Sequence, residues 1–162
     1  MKFRFLFPSL IAAFISFGCG QKDAGSTGAA GAANSGPRVI EITAGDNMKF
    51  SVTTLEAKPG EELKVVLTNT GTQPKEVMGH NWILLRKGVD VAAFDAAAVQ
   101  AKATDYVPAS MSDQIIAHTA LVGPRKSEEA SFKAPTEPGD YPFLCSFPGH
   151  YQVGMKGTLT VR

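Results

Sequence analysis

The stretch Cys145-Ser146-Phe147-Pro148-Gly149-His150-Tyr151-Gln152-Val153-Gly154-Met155 sets a thiol, an imidazole and a thioether in one short segment, and a second imidazole stands upstream at His80. Soft sulfur donors suit Cu(I), and imidazole suits both common oxidation states of copper. Two His and one Cys in a plane, with a long axial Met, form an electron-transfer site. The donor types therefore predict one copper ion per chain and movement of single electrons. Three donors reach one ion from a single segment only if the backbone curls around it. Pro148-Gly149 supplies that curl, and Gly154 repeats the device just before Met155.

Composition narrows what such a site can serve. A formal net charge of +1 leaves no basic footprint for nucleic acid, and no long run of lysine and arginine suggests a polybasic membrane patch. The expected partners are redox proteins, one donor and one acceptor, with no small-molecule substrate. The chain is expected to be a monomer and not an enzyme, since no second cluster of Cys and His stands ready for another copper. Copper storage or delivery is the alternative for the same donors. Zinc also accepts Cys and His, but the thioether of Met155 favours copper.

The elements that must position these donors read as strands. From Arg38 onward, short runs rich in Val, Ile, Thr, Leu and Phe alternate with Pro/Gly turn signals. They predict strands over Arg38–Thr43, Lys49–Thr54, Glu62–Asn69, Asn81–Arg86, Gln114–His118, Glu128–Lys133, Gly139–Cys145 and Lys156–Val161. About eight short strands in one domain predict an all-β sandwich or barrel with Greek-key connections. The alanine-rich, proline-free segment Val89–Lys102 predicts one short helical flap on its outside. His80 falls at a strand entrance and Trp82 in the core. His118, Met48 and Met111 read as surface or packing residues, because the four-donor set is complete without them.

Residues 1–19 read as an export signal, with a basic start, an apolar stretch too short to span a membrane comfortably, and Gly18 before Cys19. Cys19 stands where bacterial lipoprotein precursors place the cysteine that is acylated, although Ser16 occupies the position where an aliphatic residue is usual. Residues 20–37, rich in Gly, Ala, Ser and Asn, read as a flexible tether. The expectation is an exported, periplasmic domain over residues 38–162, held to a membrane by lipid. The chain has only two cysteines, so lipid at Cys19 and metal at Cys145 leave none for a disulfide; the alternative is a Cys19–Cys145 bridge.

Met78-Gly79-His80-Asn81-Trp82, Ile116-Ala117-His118-Thr119, Cys145 to His150 and Gly154-Met155-Lys156-Gly157 together resemble the azurin and auracyanin group of cupredoxins, over essentially Arg38 to Arg162. Four residues lie between Cys145 and His150, and four between His150 and Met155, which is the auracyanin spacing; azurins have three in the second gap. The cysteine pair that forms the azurin disulfide is missing. The resemblance implies a cupredoxin-like Greek-key sandwich holding one type 1 (blue) copper. In that arrangement His80, Cys145 and His150 form the plane, Met155 is axial, and the Gly79 carbonyl approaches weakly from the other side. It further implies that Asn81 ties the two ligand segments together, with Ser146 contributing near the Cys145 sulfur. Met78, Phe147, Pro148 and Gly149 are expected to form an apolar docking rim around the edge of His150, through which electrons leave.

Overall fold

Alternation of buried and exposed side chains builds the frame in the computed structural model, which describes residues 36–162. The expected leader with Cys19, and the tether up to residue 35, lie outside the described residues. Strand β3 (Glu62–Asn69) turns Leu63, Val65 and Leu67 inward while the residues between them face outward. This is the period of two that a pleated strand imposes. Strand β1 (Arg38–Ala44) does the same with Ile40, Ile42 and Ala44, and runs parallel to β3 with Ile42 opposite Leu67. Strand β6 (Ser127–Lys133) pairs antiparallel on the other side of β3. The remaining strands are β2 (Thr54–Ala57), β4 (Ile83–Leu85), β5 (Ile115–His118), β7 (Gly139–Leu144) and β8 (Lys156–Val161). They form a second sheet in the order β2-β8-β7-β4-β5. Inward residues of both sheets share one core, in which Ile42, Leu63 and Val65 meet Leu84, Phe143 and Leu159. Eight strands in two facing sheets make the expected β-sandwich.

Strand β4 departs from alternation because it is covered twice. Leu84 faces the main core, whereas Ile83 and Leu85 join a smaller cluster with Leu144 and with Phe94 and Ala98 of helix α2 (Val91–Val99), which follows the single-turn helix α1 (Lys75–Met78). A strand buried on both faces reads as a continuous apolar run. Asp90 caps α2 by accepting from the amides of Ala92 at 3.0 Å and Ala93 at 3.1 Å. The flap is shorter than the expected Val89–Lys102. A separate 3-10 turn follows at Lys102–Thr104, and Asp105 and Tyr106 then take φ of 53° and 63°, which no continuing helix allows.

The expected strand over Lys49–Thr54 is not formed. Met48 takes a left-handed φ of 53° and the amide of Lys49 is held by the side chain of Asn47 at 3.3 Å, so this segment turns rather than extends. A single bridge between Ala44 and Phe50 remains, and it leads the Phe50 ring into the core. The strand begins later, as β2, beside the C-terminal β8.

Candidate copper centre

Three strand ends converge on the predicted donors. Strands β4, β7 and β8 are neighbours, with Ile83 opposite Leu144 and Leu144 opposite Lys156. Cys145 is the first residue beyond β7, Met155 the last before β8, and His80 precedes β4 by a short approach through Asn81 and Trp82. That approach, and the buried Leu121–Val122 corner beside it, is pinned by a pair of backbone bonds between His80 and Val122, at 3.2 and 2.7 Å. Around the loop, the Cys145 amide donates to the Met155 carbonyl at 3.0 Å and the Met155 amide to the His150 carbonyl at 2.9 Å. Two residues ten apart in sequence thus stand side by side.

The donor atoms of His80, Cys145 and His150 all lie within 4.8 Å of one another. Cys145 Sγ is 3.4 Å from His150 Nδ1, and the two imidazole centroids are 5.0 Å apart. His80, Cys145 and Met155 are 0 % exposed and His150 is 2 % exposed. Among the described residues Cys145 has no disulfide partner, and neither ring nitrogen of His80 has a well-formed hydrogen bond. A buried polar atom left unpaired costs roughly 1–3 kcal/mol; the Gly45 carbonyl lies near enough to favour a proton on one ring nitrogen, and the other asks for a partner the protein alone does not provide. Burial pushes the Cys145 thiol up to about 12, against the backbone N–H groups of Asn81 and Phe147, which act in the opposite direction. Burial, aided by His80, draws the His150 imidazole down to about 4. It lowers His80 too, with the Gly45 carbonyl and Asp46 opposing. Two imidazoles held neutral beside a thiol are lone pairs ready for a soft or borderline cation.

Asn81 lies between the two ligand segments. Its Oδ1 accepts from the Ser146 amide at 2.9 Å, and its Nδ2 donates to Ser146 Oγ at 2.9 Å and to the Asp105 carbonyl at 3.2 Å. Ser146 in turn donates its hydroxyl to the Tyr106 carbonyl at 2.6 Å. The Ser146 amide is therefore committed to Asn81, and the amides turned toward the sulfur are those of Asn81 and Phe147. Gly79 is buried where a Cβ would lie 2.6 Å from the Lys75 carbonyl and 2.9 Å from Leu121 Cγ. Only a residue without a side chain fits there.

The expected rim is unevenly exposed. Gly149 is exposed and Met78 and Pro148 are half-buried. Phe147 is 7 % exposed, its ring packed edge-on against Tyr106 at 5.1 Å and tilted against His150 at 4.8 Å. His118 is exposed on β5, the sheet's edge strand, away from the donor set. Met48 and Met111 pack against the apolar clusters, and Trp82 is fully buried.

Three residues near the site escaped the sequence reading. Asn69 is buried at the end of β3, where its Nδ2 donates to the Val122 carbonyl at 3.1 Å and so supports the backbone that pins His80. Tyr106 supplies a carbonyl and an aromatic wall. Asp95, buried on α2, bonds Gln152 within the ligand loop. Only Asp95 carried a signal, as a lone acid among alanines; the other two meet their partners, Val122 and Ser146, across the fold at separations that residue type does not reveal.

Residues 38–162 match the family described as copper binding proteins, plastocyanin/azurin family. The chain is 36% identical over 126 residues to auracyanin-B of Chloroflexus aurantiacus, covering 76% of this chain and 52% of that protein. It is 33% identical over 123 residues to the azurin of Alcaligenes faecalis, covering 74% and 94%. The chain thus spans about half the length of auracyanin-B and nearly all of that azurin. Among solved structures, the dithionite-reduced auracyanin of the photosynthetic bacterium Roseiflexus castenholzii superposes with a TM-score of 0.69 at 38% identity, covering 78% of this chain and 98% of that one. The buried His80–Cys145–His150 cluster, the sandwich that carries it and these similarities agree: from residue 38 to 162 the chain belongs to the plastocyanin/azurin family of copper-binding proteins.

Proposed function

We propose that this protein is a one-electron carrier with a single type 1 copper, passing electrons between two redox proteins. The observation that carries the reading is the closed set of three donors within 4.8 Å, in which, among the described residues, neither buried nitrogen of His80 has a well-formed hydrogen bond. In this assignment His80, Cys145 and His150 would hold the metal, with the Met155 thioether and the Gly79 carbonyl as its further, weaker contacts. Copper, when bound, supplies the Cu(II)/Cu(I) couple.

The protein's part is to hold its donors still while the charge changes. Cys145 and Met155 are joined by a backbone bond, His80 is pinned to Val122, and Asn81 locks one ligand segment to the other. Little reorganisation is then available to either state. Amides turned toward the Cys145 sulfur stabilise the electron-rich form and raise the potential. Burial keeps water off the site. Among the four donors only His150 has any exposure, which supports electron exit through its ring edge, beside Met78, Pro148 and Gly149. Transient redox interfaces are small, and a rim of this extent suits one. Burial of all four donors favours a resident metal over copper delivery, which needs ligands open to exchange.

For the N-terminal segment we propose export, acylation at Cys19 and a tether over residues 20–37 that leaves the domain free to reorient near a membrane. Mass spectrometry of the mature N-terminus tests this; an unacylated chain starting elsewhere would make the protein a free periplasmic shuttle.

Titration of the purified chain with Cu(II) tests the central reading. An intense thiolate-to-copper absorption in the red, saturating at one equivalent and absent from Cys145→Ser, is expected, together with a reversible one-electron wave. A colourless, redox-silent complex would sink it.

A further inference from the structure

Helix α2 does more than cover β4. Asp95, at its middle, is 2 % exposed among alanines, its Oδ2 accepts from Gln152 Nε2, and its Oδ1 is buried without a partner among the described residues. A buried carboxylate costs free energy that alanine at the same place would not, so the helix itself gains nothing from this residue. Gln152 sits midway in the excursion from His150 to Met155, and it is exposed apart from this contact. The next residue is held independently: Lys49 Nζ, from the turn before β2, donates to the Val153 carbonyl at 3.1 Å. Tyr151 packs against the α2 cluster, with Lys156 Nζ 4.8 Å from its ring centroid. Contacts 57 and 104 residues apart in sequence thus converge on two adjacent positions of one loop.

We propose that Asp95 is a positioning residue for the metal loop: through Gln152 it anchors the excursion between His150 and Met155 to helix α2, while Lys49 holds Val153, so that the flap helps to set where Met155 sits. The consequence for copper rests on the function proposed above; the anchoring itself does not. The anchor bears on the four residues that separate His150 from Met155, which lie outside the strands of both sheets. The amides of Gly154 and Met155, bonded at 2.9 Å to the carbonyls of Tyr151 and His150, report directly on its integrity.

The test is amide hydrogen exchange at Gly154 and Met155 in the purified chain, metal-free and Cu(I)-loaded. It is paired with the reduction potential and the Cu(II) electron paramagnetic resonance spectrum. Asp95→Ala and Gln152→Ala should each speed exchange at these two amides by about tenfold or more while leaving Phe143 and Leu159 unchanged, the signature of local opening. In the loaded protein both should shift the potential and the copper hyperfine splitting. Asp95→Asn keeps an oxygen acceptor for Gln152 and should stay within about threefold of wild type in exchange. The double alanine variant should be no faster than either single one, since both remove the same contact. Unchanged loop exchange in the alanine variants, or single effects that add in the double, overturns the proposal. Should Asp95→Ala fail to fold, Gln152→Ala at an exposed position decides alone. If wild type shows no thiolate-to-copper band, the carrier reading fails and exchange still decides the anchor; if wild type is blue and loop exchange does not move, the anchor alone fails.

Discussion

Asn81 commits both ends of its amide to joining the segments that bear His80 and Cys145. Asn81→Ala would leave the Ser146 amide and the Asp105 carbonyl unpaired, the former in a fully buried place. The expected cost is about 2–3 kcal/mol in chemical unfolding, with a changed reduction potential in whatever protein still folds; an unaltered midpoint and potential would refute the linking role. The cluster of His80, Cys145 and His150 was legible in the sequence because its chemistry is carried by residue type and spacing, whereas the place of Asn81 between the ligand segments came from the family resemblance alone. The docking rim was only partly legible, because apolar character does not say which way a ring points. Phe147 is turned inward between Tyr106 and His150, so it is better regarded as a wall of the site. Met78, half-buried beside Gly79, is the cleaner probe: Met78→Lys should slow electron self-exchange by about tenfold at low ionic strength through like-charge repulsion and leave the visible band in place. An unchanged rate would remove Met78 from the contact.

At the scale of elements, the strands with regular alternation or unbroken apolar runs were readable, and those set by turn geometry were not. Strands β3 and β8 fall where their patterns put them. The Lys49–Thr54 run does not, because Met48 adopts a left-handed backbone and a lone ring, Phe50, rather than a paired strand, satisfies the core. Helix α2 was readable from composition, but its end at Val99 and the role of Asp95 were not. Burial holds the Asp95 carboxyl above the usual carboxylate range. A group whose folded pKa is raised contributes stability that is fully present below its unfolded pKa and is lost as pH rises through the folded value. At neutral pH the ionised Asp95 therefore weighs against the fold. Asp95→Asn should raise Tm at pH 7, with the gain shrinking as pH falls through and below the carboxylate range; a gain that is constant or grows in acid would contradict the buried-carboxylate account.

For the whole molecule, the question is whether metal builds the site or finds it built. The main core draws from both sheets, from Ile40 to Val161, and the strands pair in register up to the residues flanking the donors without using any donor side chain. His80, Cys145 and His150 sit within 4.8 Å of one another, held by backbone bonds and by the side chains of Asn69 and Asn81 rather than by any metal. The metal-free chain should therefore fold cooperatively and keep its sheets, with hydrogen-exchange changes confined to residues 78–82 and 145–155. What copper adds is binding free energy, since it binds the folded site and much less the unfolded chain. At free metal about a thousandfold above Kd this amounts to roughly 4 kcal/mol, which for a domain of this size raises Tm by roughly 10 °C or more. Calorimetry of the chain before and after copper removal checks both parts. One cooperative transition in each state, separated by that margin, is the expected result. A metal-free chain already unfolded at 25 °C would mean that the donors are assembled by the ion, and that the strand ends alone do not hold them.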